Sequence, residues 1–159
     1  MNPSTSSAVP SADTERLLTF EYAQAMYALP IAEVHEVAEA KRICCVPTIP
    51  FEQVGVMNWH GEALPVVAVG LLLERAPEAA AHGAAPANHV LVVSGRGDEP
   101  ARLGLPVDRV LGLIDGPSRH RSGEDLVVER RPLEGRVVHV LCPRVLVARA
   151  AEVIGRQVA

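Results

Sequence analysis

The sequence predicts a mainly β fold of two small barrels followed by a C-terminal helix. Short Val-rich runs recur between turn residues, and no long helical pattern occurs before the end of the chain. Residues 61–72 and 135–146 repeat one pattern, in which Gly and a charged residue precede an apolar strand-like run and a Leu-containing turn. Two such halves would bury apolar surface that neither short sheet could bury alone.

The first elements predicted are a disordered tail and an opening hairpin. Residues 1–14, rich in Ser, Pro, Thr and Ala, bury too little surface to become ordered. Residues 16–22 and 26–31 are strand-like runs joined by a short connection. Residues 31–39 fit a helix or a strand, because their apolar spacing is helical but Val favours strands. Two prolines should keep residues 43–50 extended.

A second hairpin over residues 55–67 is the strongest local signal. Gly61 stands where a type II turn over residues 59–62 needs a positive φ. Pro65 has no N–H, so the second arm should lie at a sheet edge, near a bulge, or with that position facing away from a partner strand. Asn58 should satisfy backbone groups of the turn. Trp59 is expected in core packing more than as an interface anchor.

The second half repeats the alternation of strands and turns. Residues 69–74 predict a helical turn, 75–88 a linker-like surface loop, 89–94 a buried strand, 96–99 a turn and 102–113 one or two strands. Asp108 should cap or hydrogen-bond a turn. Apolar spacing over 143–156 predicts a helix. One domain over residues 15–150 is expected, with subdomains at about 15–74 and 88–147, interleaving possible, and 151–159 as the helix end.

Composition and motifs exclude several classes of function. The net charge is −4 and the Arg residues are interspersed with Asp and Glu, which argues against nucleic acid as a partner. Three Cys without zinc or redox spacing fit a reducing compartment. Residues 1–13 do not resemble a signal peptide, and the apolar run 63–73 is shorter than the about 20 residues that a membrane helix needs. A cytoplasmic protein without direct membrane insertion is expected.

No catalytic, metal or cofactor motif is present. The sequence lacks a phosphate-binding loop, a nucleophile elbow and a zinc-protease motif. We therefore expect no catalytic residues, no metal and no cofactor. Cys44 and Cys45 are expected as small core hydrophobes. A small enzyme using His60 with an unrecognised Cys is the alternative from another class.

Four residues of the second hairpin carry a family resemblance: Gly55, Asn58, Gly61 and Pro65 match a Gly-x-x-Asn-x-Arg-Gly-x-x-x-Pro-x-x-Asp-Leu pattern. Further matches lie at residues 34–37, 88–93 and 104–110. Over residues 15–115 the chain resembles the CheW-like chemotaxis adaptors. The resemblance implies two SH3-like barrels, a strand over 31–39, and a scaffold without a catalytic site that bridges the tips of methyl-accepting chemoreceptors to a CheA-type histidine kinase.

The resemblance also implies a receptor-binding groove, shaped or formed by seven residues of this chain. They are Val34, Glu36, Gly55, Asn58, His60, Gly61 and Val107.

The chain departs from the family pattern at three places. His60 stands at the family's Arg and Ala68 at its Asp, and the interval 114–134 looks shortened into a polar loop in place of a strand. We therefore expect a reduced second barrel and a divergent adaptor whose kinase coupling is weakened or lost. Such a protein would resemble an accessory adaptor of the Frz type, acting beside another CheW-like adaptor. The alternative is a complete adaptor that links receptor and kinase.

Overall fold

A computed structural model describes residues 14–40, 43–45, 54–73, 88–117 and 123–158. Within these ranges eleven strands and two α-helices follow one another, with a short 3-10 helix at Ile31–Glu33. The strands are β1 (Thr14–Tyr22), β2 (Ala25–Pro30), β3 (Val34–Glu39), β4 (Ile43–Cys45), β5 (Val54–Trp59), β6 (Glu62–Val67), β7 (His89–Val93), β8 (Leu103–Val107), β9 (Arg109–Pro117), β10 (Val127–Leu133) and β11 (Arg136–Leu141). The helices are α1 (Val69–Leu72) and α2 (Pro143–Val158).

The strands form two sheets, which confirms the mainly β prediction. Sheet A has the order β10-β11-β2-β1-β9, and sheet B has the order β3-β7-β8-β6-β5-β4. The intervals 15–74 and 88–147 each contribute strands to both sheets. Sheet B is therefore built from the middle of the chain and sheet A from its beginning and end.

The two sheets share one design. In each, the second strand of a hairpin pairs in parallel with an interior strand: β11 with β2, and β6 with β8. A helix then follows each of these hairpin strands, α2 after β11 and α1 after β6. The internal repeat in the sequence thus corresponds to a strand-and-helix unit in each sheet.

The tight turns of both repeated hairpins use left-handed backbone at two successive positions. His60 and Gly61 have φ of 49° and 84°, and Glu134 and Gly135 have φ of 49° and 77°. This is a type I′ turn, so the type II prediction is wrong. Type I′ is favoured in two-residue hairpins because its twist matches that of the flanking strands. A sheet edge for the Pro65 arm is also wrong, since β6 lies between β5 and β8.

A single main core lies between the sheets and the helices. Its fully buried side chains come from both sheets and from α2, and include Phe20, Leu91, Leu105, Leu141 and Leu146. Phe20 and Tyr27 stack with ring centroids 5.8 Å apart. Smaller apolar clusters pack against sheet A around Leu17 and Val138 and against sheet B around Met57 and Val90.

Most local predictions are confirmed. The structure contains the opening hairpin, the strand at 34–39, the helical turn after residue 68, the buried strand β7, two strands across 102–113 and the C-terminal helix. The disordered tail was predicted one residue too long, because Thr14 begins β1. The rest of that tail, nearly all of the predicted linker, and residues 46–50 lie outside the described residues.

Two further predictions are wrong. The interval 114–134 is not a polar loop, because β9 extends to Pro117 and β10 forms a seven-residue strand paired with β11. Within β10, Arg131 donates two hydrogen bonds to Glu129, and both side chains are mostly buried. This pairing lets two charged residues point inward from a strand. Cys44 is exposed rather than buried, whereas Cys142 is buried.

Candidate functional site

A groove opens in sheet B between strands that are not neighbours in it. β3 and β4 lie at opposite edges of sheet B but are joined by residues 40–42, a connection that spans at most about 15 Å. The sheet must therefore curl until its edges approach one another. The resulting cavity, of about 660 Å³, is the β3–β5 groove. Its lining residues are Glu36, Val37, Ala38, Glu39, Met57, Asn58, Trp59 and His60.

Glu36 links the two walls of the groove. Trp59 Nε1 donates a hydrogen bond to Glu36 Oε2 at 2.8 Å, and His60 Nε2 lies 3.2 Å from the same oxygen. The hydrogen bond from Trp59, and then the one from His60, hold the pKa of the Glu36 carboxyl below its usual value, because both favour the carboxylate. Among the described residues, Glu36 Oε1 receives no hydrogen bond. The side chain is 44% exposed, so an incoming donor can reach the carboxylate.

The β5–β6 turn sets the position of His60. Asn58 Oδ1 accepts a hydrogen bond from the Gly61 amide at 2.9 Å, which confirms the local role predicted for Asn58. Gly61 takes the second left-handed position of the turn, where a side chain would be strained. The turn thereby brings His60 towards β3.

Trp59 contacts two histidine rings. The indole meets the His60 ring edge-on, with centroids 4.5 Å apart, and the His35 ring at 6.0 Å. It is half-buried and packs against the apolar cluster around Met57. Trp59 therefore takes part in packing, as expected, but also forms a wall of the groove.

The structure brings four of the seven candidate residues together and separates the other three. Glu36, Asn58, His60 and Gly61 lie at the groove or its turn. The remaining three are packing residues. Val34 is half-buried against the main core, Val107 is fully buried, and a Cβ on Gly55 would lie 2.6 Å from Ile43 Cγ2.

Val37 and Glu39 also line the groove, although neither was among the candidates. Val37 is an apolar side chain that is 41% exposed. Edge strands normally avoid exposed apolar side chains, so a Val between polar residues of the β3 segment is the signal that sequence reasoning could have used. The groove therefore combines an apolar side chain, an aromatic wall and carboxylates.

Ala68, at the position of the family's Asp, is the N-cap residue of α1 and makes no side-chain cap hydrogen bond. Asp108, by contrast, accepts a hydrogen bond from the Ala23 amide in the β1–β2 turn at 2.8 Å, which confirms its predicted role.

The described residues also bear on metal binding, on the contacts of the His60 ring and on membrane-spanning helices. In them, no three His, Cys, Asp or Glu side chains are arranged to hold a metal ion. The ring contacts of His60 are to Glu36 and Trp59. Over the same ranges, no helix is sufficiently long and apolar to cross a bilayer.

Comparisons with known proteins identify a matching family model and a similar fold. The family model described as the CheW-like domain matches residues 16–147. The fold is similar to the crystal structure of the scaffolding protein TtCheW from Thermoanaerobacter tengcongensis, with a TM-score of 0.59 and 21% identity over 80% of this chain and 88% of that chain. No curated protein matches the sequence. The family match covers most of the chain and confirms the resemblance, and this protein belongs to the CheW-like domain family.

Proposed function

We propose that this protein is a non-catalytic chemosensory scaffold that binds the cytoplasmic tip of a methyl-accepting chemoreceptor through the β3–β5 groove. The observation that carries the proposal is the convergence of Glu36, Asn58, His60 and Gly61, all named from the family motif, on one open groove. Binding there would place the protein in the cytoplasm.

The groove has the features that an amphipathic helical segment requires. Val37 and the indole of Trp59 offer apolar contact, and aromatic side chains commonly anchor protein interfaces. The cavity of about 660 Å³ can hold several side chains of a partner. Glu36 supplies an oriented acceptor, because Trp59 and His60 hold its Oε2 and its side chain is 44% exposed. The site can therefore hold a partner by shape and by charge without any reaction.

Calorimetry with a receptor cytoplasmic fragment tests the proposal. Glu36→Lys combined with Asn58→Ala should weaken binding about ten-fold or more, because it reverses a charge and removes the acceptor that orders the turn. Glu124→Lys, the same charge change at an exposed position outside the groove, is the matched control and should bind as the wild type does. Circular dichroism would check that both variants are folded. Unchanged binding by the double variant would contradict the groove as the site.

The weakened kinase coupling that a polar loop at 114–134 would imply loses this support, because residues 127–133 of that interval form the strand β10. What still supports weak coupling is the charge on β10, where Arg130 is exposed and Glu129 and Arg131 are engaged with one another. An accessory role beside another CheW-like adaptor follows if this contact is weak.

A complete adaptor is the second candidate, and one observation favours it. Leu111 and Leu113 on the edge strand β9 are 38% and 50% exposed, so sheet A presents an apolar surface of the kind that the family offers to the kinase. Calorimetry with the isolated regulatory domain of a CheA-type kinase distinguishes the two. A micromolar complex that Leu113→Asp abolishes supports the complete adaptor, whereas no measurable complex supports weakened coupling.

A further inference from the structure

Of the two side chains that contact Glu36 in the groove, Trp59 and His60, only His60 has an ionisable ring. Its Nε2 lies 3.2 Å from Glu36 Oε2, and its side chain is 69% exposed. Protons therefore reach it directly from solvent. Histidine changes charge between about pH 5 and 8, whereas the Arg that the family carries at this position stays charged.

The groove around His60 also contains other titratable side chains. Glu36 and Glu39 line the same groove, and Glu62 lies opposite Trp59 in the hairpin register. His35 is a second imidazole near the indole, with its ring centroid 6.0 Å from that of Trp59. Glu36 stays ionised across this pH range, since hydrogen bonds from Trp59 and His60 lower its pKa. Protonation of His60 therefore converts a hydrogen bond between a neutral ring and a carboxylate into an ion pair.

We propose that His60 is a proton-dependent switch in the β3–β5 groove, and that its protonated form is the one that binds the receptor best. As an ion pair, His60 and Glu36 hold the β5–β6 turn against β3, so the groove is ordered before the partner arrives. After deprotonation the His60 ring is uncharged, and the contact keeps its hydrogen bond to the carboxylate but loses the attraction between opposite charges. Exposed ion pairs are weak, so the expected change in affinity is about two- to five-fold. This inference rests on the proposed receptor binding.

The free protein provides the first test, because Trp59 is the only Trp in the chain and contacts both partners of the switch. Its fluorescence should show a transition between pH 5 and 8. His60→Asn should remove that transition, and His35→Asn, the control for the second imidazole near the indole, should keep it. A flat titration of the wild type, or an unchanged transition in His60→Asn, would overturn the proposal.

Receptor binding provides the second test. The wild type should bind a receptor cytoplasmic fragment about two- to five-fold more tightly at pH 5.5 than at pH 8. His60→Arg, with a permanent cation, should bind tightly at both values, and His60→Asn should bind weakly at both. Equal affinities of the wild type, or a pH dependence that survives in His60→Asn, would overturn the switch. If no variant binds at any pH, the proposed function fails, while the Trp59 titration still decides whether the switch exists.

Discussion

Gly104 is a position where one added methyl group should be costly. It lies in β8 opposite Val66, at the parallel pairing with β6. A Cβ there would stand 2.8 Å from Val90 Cγ1 and 3.1 Å from Val66 Cγ2. Both valines are buried and have stiff χ1 angles, so neither can move aside cheaply. Gly104→Ala should therefore lower the free energy of unfolding by about 1–3 kcal/mol and the melting temperature by about 2–12 °C.

Urea unfolding followed by circular dichroism measures this effect. Gly155→Ala is the matched control, because it adds the same methyl group in α2 with no heavy atom within 4 Å. It should raise the unfolding free energy by about 0.5–1 kcal/mol, since Ala is the better helix former. Adding Val90→Ala to Gly104→Ala should cost less than the sum of the two single changes. A Gly104→Ala protein as stable as the wild type would refute the close packing of β8 against β6 and β7.

Three further predictions concern pH, thiols and the α1 cap. The pKa of Glu21 lies below its usual value, mainly because Arg109 donates a hydrogen bond to its carboxylate. The ionised Glu21 therefore stabilises the fold at pH values above its pKa in the unfolded chain, and this stabilisation is lost as the pH falls through its pKa in the folded protein. Glu21→Gln should therefore lose less stability than the wild type between pH 7 and pH 3, as measured by urea unfolding. An equal loss of unfolding free energy in the variant and the wild type would contradict this. Labelling with a thiol reagent should lose a fast phase in Cys44→Ser and keep it in Cys142→Ser, and the reverse pattern would oppose the burial described. Ala68→Asp should stabilise the protein by about 0.5–2 kcal/mol in urea unfolding, by capping α1, and a destabilised variant would count against that cap.

Features that depend on neighbouring residues could be predicted from the sequence. The β5–β6 hairpin and its Asn58–Gly61 hydrogen bond follow from an Asn and a Gly at fixed spacing. The buried strand β7 follows from an unbroken apolar run, and α2 follows from apolar spacing near 3.6 residues. These signals lie within short windows, so tertiary contacts did not override them.

Features that depend on distant residues were missed. The parallel pairings of β6 with β8 and of β11 with β2 join segments far apart in the chain, and no local pattern encodes them. The charged residues of β10 predict a loop, whereas this segment forms a strand. In the fold, Arg131 pairs with Glu129 and lies against Gly116 of β9, where any Cβ would collide with the guanidinium. The contact of Trp59 with Glu36 exists only because sheet B curls.

Hydrogen exchange of the full chain, with and without a receptor cytoplasmic domain, tests the central claim most directly. Amides of an occupied groove are shielded and ordered, so exchange should slow in residues 34–39 and 55–61. Exchange in α2, which lies outside the groove lining, should stay the same. A receptor that binds while leaving 34–39 and 55–61 unchanged, with slower exchange only in β9 or α2, would contradict the β3–β5 groove as the receptor site.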